Sequence, residues 1–231
     1  MSPAGRGTAS DGSPVAPDGS PVGLYRLYPP GREPALIHDS VAACCTVLEL
    51  GCGAGRITHA LLALGHAVVA VDESAEMLSC ISGAQTVMSD IETLDLPDKF
   101  RAVVLGSYLI NTTVPGQRDS FFAACVRHVH PEGAVLIQRT SPEFARSITS
   151  GSVRRSQGFV SEIRSVSFDS GVIRVEEEWR RGEVSWTHNW ADLVLSDERF
   201  VRMARSHGLT HQEWLDPHHE WSLSTPSTAP D

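Results

Sequence analysis

A glycine-rich turn set between a strand and a helix constrains this chain more than any other feature. Thr46 to Leu50 is a short β-prone run, and Gly51-Cys52-Gly53-Ala54-Gly55 follows it at once. Behind the turn Ile57, Ala60, Leu61 and Leu64 recur at helical spacing, and Gly65 stands where a helix C-terminus takes a glycine. Ala67 to Val71 is then apolar throughout, as a strand covered on both faces requires, and it ends at Asp72. These elements make a βαβ unit whose turn lies where a doubly wound sheet binds its ligand. Glycines there let backbone N–H groups approach that ligand closely.

The alternation continues beyond the unit. Ser74 is placed to cap a helix carrying Met77, Leu78 and Ile81, and Thr86 to Met88 reads as a short strand ending before Asp90. Phe100 to Leu105 reads as a buried strand, a helix follows over about Arg118 to His128, and Ala134 to Gln138 is the next strand. Strands alternating with helices predict an α/β fold, a doubly wound and mostly parallel sheet. After Ser141 the period changes to two. Val160 to Phe168, Val172 to Arg181 and Val184 to Ala191 predict antiparallel strands, with Ile173, Val175 and Trp179 sharing a face with Val184, Trp186, His188 and Trp190. Ser196 then caps a helix ending near Gly208, and a hairpin closes the fold around Pro217-His218-His219.

These motifs together resemble the class I, Rossmann-like S-adenosylmethionine-dependent methyltransferases, of the small-molecule type. In that family an acidic residue stands two positions before a G-x-G-x-G turn, as Glu49 does before Gly51, Gly53 and Gly55. A second acidic residue ends the next strand, as Asp72 does, and a third follows the strand after that, as Asp90 does ahead of Ile91. The likeness runs over roughly Leu36 to Gln138 and implies a seven-stranded sheet with an antiparallel strand insertion after the fifth strand. It implies S-adenosyl-L-methionine as cofactor and S-adenosyl-L-homocysteine as product; the cysteines, read as buried hydrophobes in a reducing cytosol, and an N-terminus without the basic and apolar blocks of a signal peptide predict a cytoplasmic enzyme. It also implies roles: Gly51, Gly53 and Gly55 beneath the methionine part, Glu49 at its amino group, Asp72 on the ribose hydroxyls, Met77 over the adenine and Asp90 at its amino group, with Ile91 and Ser107 beside them.

The acceptor's residues fall outside that stretch. Substrate candidates are Tyr25 and Tyr28 from the N-terminal side, Tyr108 and Asn111 after the fourth strand, Arg139 after the fifth, and Trp186 and Trp190 in the appended strands. Methyl transfer needs mainly positioning, with a base where the nucleophile carries a proton, and the candidates for that base are His188, His218 and His219.

Composition sets the outer limits. Residues 1–22, rich in Pro, Gly, Ser and Ala, read as a disordered tail; 23–231 read as one domain, with a 35–140 cofactor-binding core, a 141–195 lid and a 196–231 closing helix and hairpin. A net charge of −9 disfavours long nucleic acid, so the expected partner is a small molecule, with monomer or homodimer left open. No apolar run is long enough to span a membrane, the five cysteines have no C-x-x-C spacing, and no metal site is apparent. Two other functions remain: a non-catalytic S-adenosylmethionine-binding partner or sensor, and an NAD-dependent oxidoreductase, against which Arg56 stands where the dinucleotide fingerprint needs a glycine or alanine.

Overall fold

The computed structural model describes residues 8–227. In chain order these form β1 (Thr8–Ala9), α1 (Val22–Leu27), α2 (Glu33–Asp39), β2 (Thr46–Leu50), α3 (Arg56–Ala63), β3 (Ala67–Asp72), α4 (Ala75–Leu78), β4 (Gln85–Met88) and β5 (Phe100–Leu105). There follow α5 (Gln117–His128), β6 (Val129–Gln138), α6 (Pro142–Ser147), β7 (Val153–Ser156), β8 (Phe159–Asp169), β9 (Val172–Arg181), β10 (Val184–Leu193), α7 (Asp197–Ser206), β11 (Leu209–Trp214) and β12 (Trp221–Pro226).

Seven strands form the central sheet in the order β11-β12-β6-β5-β2-β3-β4. The five from β6 to β4 run parallel, and β12 and β11 add antiparallel at one edge. Alternate residues of the same strand serve opposite cores. Leu48, Leu50, Val103 and Leu105 meet Phe121, Phe122 and Cys125 of α5 and Phe200 and Ala204 of α7. Val47, Ala102, Val104 and Leu136 meet Ile37 of α2, Ile57 and Leu61 of α3, and Trp221. Each such fully buried Leu or Phe contributes roughly 1.5–3 kcal/mol by leaving water, so both faces of the sheet carry the fold. This is the seven-stranded, mostly parallel arrangement that the resemblance implies.

The appended strands build a second sheet, five-stranded and antiparallel, in the order β1-β10-β9-β8-β7. The register sets Trp186 opposite Trp179, His188 opposite Glu177 and Trp190 opposite Val175, so the expected shared face is present. Two elements in this region, α6 and β7, are not predicted from the sequence: Ser141 caps α6 by accepting from the Phe144 N–H at 3.1 Å, and the four residues of β7 are all exposed and lack an apolar pattern.

The expectation of a tail over residues 1–22 needs correction where the structure describes it. Thr8–Ala9 extends the second sheet beside β10, Val15 bridges to Pro21, and Ala16, Ser20 and Val22 are buried. The physical reason is local: Ser20 is tied back by Asp18, whose carboxylate takes both its N–H and its hydroxyl at 2.9 Å. That turn directs the few apolar side chains onto the domain. Residues 1–7 of the predicted tail lie outside the described residues. No helix among the described residues is long and apolar enough to cross a membrane, and none of their acidic, His and Cys side chains cluster as a metal site.

Candidate functional site

The glycine turn is folded back over the end of β3. The N–H groups of Gly51 and Cys52 both donate to the Val71 carbonyl at 2.9 Å. Gly53 donates its N–H to Asp72 Oδ2 at 2.8 Å, and Ser74 donates to Oδ1 at 2.9 Å, so one carboxylate organises both the turn and the start of α4. Gly51 and Gly53 have φ of 71° and 55°, a left-handed backbone that favours glycine. A side chain at Gly51 would collide with Leu109, whereas the space above Gly53 is open. Gly55 ends the turn as the residue before α3. An open cradle of positive-φ backbone beside a half-buried acid suits a ligand carrying hydroxyls and a polar chain, and the residues present fit S-adenosylmethionine.

The neighbouring expected residues fall as follows. Glu49 is buried and accepts from the Thr58 hydroxyl at 2.6 Å, fastening β2 to α3 behind the turn; burial pushes its carboxyl up to about 7. Met77 is packed with Ala16, Val22 and Ala54, under the N-terminal segment. Asp90 is exposed, accepts from the Thr93 N–H at 2.8 Å and from the Thr93 hydroxyl, and is held below the usual carboxylate range by those bonds. Ile91 lies beside Gly51. Ser107 and Tyr108 both have positive φ, 53° and 59°, and this strained turn carries Leu109 over Gly51. Ser107 is anchored through its N–H to Gln138 Oε1 at 2.9 Å. Burial pushes the Asp72 carboxyl up against its two hydrogen bonds, and the nearby Asp18 charge adds to the rise.

Five candidates are engaged in contacts within the fold instead. Arg139 is fully buried: its Nη2 pairs with Asp197, its Nη1 donates to the Leu195 carbonyl at 2.7 Å, its Nε donates to the His219 carbonyl at 2.8 Å, and Trp214 covers its guanidinium at 4.4 Å. All three guanidinium nitrogens are thus engaged within the fold. His219 is spent on the same network, its Nδ1 being 2.6 Å from Asp197 and its ring stacked on Trp214. His218 is exposed in the hairpin turn, where its Nδ1 lies 3.0 Å from Glu143. Asn111 is fully buried, donating to the Leu193 carbonyl at 2.8 Å and accepting from the Thr140 N–H at 2.8 Å, so it ties β10 to the end of β6. Tyr108 stacks on Phe144 and donates its hydroxyl to Glu220 at 3.3 Å.

The remaining candidates gather on the other side of the turn. Tyr25 packs against the Ala54 and Met77 cluster and meets His188 edge-on, ring centroids 5.8 Å apart. Tyr28 meets Phe159 and Trp179 edge-on at 5.6 Å and 4.9 Å. Trp186 is buried, and its indole N–H makes no close hydrogen bond. Burial holds His188 below the ordinary imidazole value, partly offset by the Asp18 charge. The inner sheet face thus joins the cofactor cradle through Tyr25 and Asp18.

Three residues here escaped the sequence reading. Asp18 stands in the supposed tail and acts on Tyr25, Asp72, Glu73 and His188 at once. Asp192 accepts from the Thr140 hydroxyl and is pushed up by burial to about 7. Glu177 occupies an inward position between Val175 and Trp179; the signal was an acid interrupting an apolar alternation.

Known proteins bear on this geometry. Residues 47–133 match the family described as a methyltransferase domain. The curated cypemycin N-terminal methyltransferase of a Streptomyces species is 33% identical over 115 residues, 44% of this chain and 45% of that protein. The chain therefore matches less than half the length of this relative. The CcbJ methyltransferase of Streptomyces caelestis superposes with a TM-score of 0.71 at 17% identity, over 90% of this chain and 96% of that one. CalS10, an amino pentose methyltransferase of Micromonospora echinaspora solved with S-adenosylmethionine, gives 0.67 at 19% identity, over 84% and 90%. At such identities the structural likeness carries the fold.

Proposed function

We infer that this chain, a class I Rossmann-like methyltransferase by domain match and by fold, moves a methyl group from S-adenosylmethionine to a nitrogen or oxygen nucleophile of a small molecule. The observation that carries this reading is the cradle: positive-φ Gly51 and Gly53, open space above Gly53, and Asp72 at the end of β3. When bound, S-adenosylmethionine supplies a methyl group already activated on a positively charged sulfur. The protein's own task is then to hold, align and exclude water. Asp72 has the place and chemistry to accept from the ribose hydroxyls, the Gly53 backbone to lie under the amino acid part, and the segment around Ala16 and Val22 to cover the adenosine. His188, kept neutral by burial, is able to take the proton that a nitrogen or hydroxyl acceptor releases. The printed names of the relatives, an N-terminal methyltransferase and an amino pentose methyltransferase, favour nitrogen.

Isothermal titration with S-adenosylhomocysteine tests the reading. Binding is expected, and Asp72→Ala is expected to weaken it at least about tenfold, since a hydrogen-bonded charged partner is lost. Failure of both S-adenosylmethionine and S-adenosylhomocysteine to bind would overturn it, and an unchanged affinity in the variant would remove the ribose assignment.

A further inference from the structure

We propose that the inner face of the five-stranded sheet is the acceptor site and that it takes a positively charged amine, held by Glu177 among aromatic rings. The proposal deepens the methyltransferase reading and rests on it for what happens to the amine once bound.

The sequence here is Glu176-Glu177-Glu178, and the strand's alternation treats its members differently. Glu178 faces outward, where Arg164 and Arg180 pair with it and with Glu162. Glu177 faces inward and is 7% exposed, and among the described residues no cation lies within ion-pair distance of it. Register fixes its surroundings: His188 directly across on β10, Trp186 and Trp190 diagonal to it, Trp179 two positions along β9, and Ile163 across on β8. A buried carboxylate is normally paired, because removing it from water without a partner is strongly unfavourable. Here burial pushes the carboxyl up against the influence of Ser161, Arg154, Trp179 and Trp190.

Two further observations point to a ligand. The buried indole N–H groups of Trp179 and Trp186 make no close hydrogen bond, and the Trp179 and Trp190 indoles lean on the Glu177 carboxylate while Trp186 leans on Asp11, so indole donors surround the anion. Both indoles belong to a group of rings, Trp179 meeting Tyr28 at 4.9 Å and Trp186 lying 6.4 Å from Phe159. Aromatic faces around a carboxylate attract an organic cation through the ring quadrupole, and they do so better than water-exposed acids because the cation sheds its hydration into an apolar enclosure. The site also lies next to the cradle: Tyr25, whose titration is raised in part by Glu177, packs on the Ala54 and Met77 cluster. The chemistry that fits is a compact amine bearing a hydroxyl or carbonyl oxygen.

The test uses the full chain and a matched pair of probes, N,N-dimethylethanolamine, protonated at neutral pH, and isoamyl alcohol, its uncharged carbon isostere. Binding is followed by tryptophan fluorescence and by calorimetry. The amine is expected to bind at least about tenfold more tightly than the alcohol. Glu177→Gln, which keeps the size and removes the charge, is expected to abolish that preference while leaving S-adenosylhomocysteine affinity unchanged; Glu162→Gln on the outer face is expected to preserve it. Should Glu177→Gln fail to fold, Trp190→Leu is expected to reduce the amine's advantage with the carboxylate intact. Equal binding of the two probes, or a preference that survives in Glu177→Gln, overturns the proposal. Either result alongside normal S-adenosylhomocysteine binding leaves the methyltransferase reading standing, whereas loss of cofactor binding alone strikes that reading and not this one.

Discussion

Glu49 and Thr58 bring electrostatics into the middle of the sheet. The carboxyl is 3% exposed, its hydrogen-bond partner is the Thr58 hydroxyl, and burial pushes its pKa up to about 7. An unfolded Glu titrates near about 4.3, so between the two values the folded chain keeps a proton that the unfolded chain has released. Stability from this group is therefore complete below the unfolded value and is lost as pH rises through about 7. Glu49→Gln removes the titration and retains an acceptor for Thr58. Urea midpoints are expected to show the variant gaining on the parent by on the order of 1–3 kcal/mol between about pH 5 and about pH 8. A gap that does not widen with pH would mean that Glu49 is ionised at no cost. Asp192, pushed up to about 7 on the far side of the sheet edge, adds the same slope to both proteins and cancels in the comparison.

At the scale of elements, the N-terminal segment changes the picture of the site. It spans β1, the Val15 to Pro21 bridge and α1, and it places Ala16 and Val22 on Ala54 and Met77 while Asp18 acts on Asp72. A chain beginning at Val22 should keep the central sheet, because none of the removed residues belongs to its two cores. It is expected to lose S-adenosylhomocysteine affinity by roughly fivefold or more, as covered apolar surface and an ordered edge return to water. Unchanged affinity with unchanged thermal stability would show that the segment plays no part in closing the site. This element was illegible for a physical reason: Pro, Gly and Ser dominate it, and its order comes from a few small contacts and the Asp18 turn rather than from any periodic apolar face. The parallel core was legible because each strand is a continuous apolar run and each helix an apolar stripe, signals that only a covered sheet produces. In the second sheet the shared face of Trp179, Trp186, His188 and Trp190 could be read from alternation, and the same alternation carries Glu177 onto that face; what it could not show is that the cations of the neighbouring strands pair with Glu178 and Glu162 on the other side. Arg139, His219 and Asn111 misled because their positions at strand ends and turns are right for ligand contact; only their partners on α7 and β10 reveal that they are already engaged.

At the scale of the whole molecule, the net charge of −9 acquires a location. The Asp18 charge raises both Asp72 and Glu73 around the cradle, and Glu177 faces inward on the adjoining sheet. A field of that sign at a cleft draws in cations and repels polyanions. It also distinguishes the two forms of the proposed cofactor, since S-adenosylmethionine carries a sulfonium charge that S-adenosylhomocysteine lacks. Salt offers a direct measure: raising it from about 0.1 M to about 1 M shortens the screening length from about 10 Å to about 3 Å. Over that range S-adenosylmethionine is expected to lose about threefold more affinity than S-adenosylhomocysteine, measured by parallel titrations. A ratio of the two affinities that stays flat with salt would place the sulfonium beyond the reach of these carboxylates, and would move the acidic groups' role to the acceptor side of the cleft.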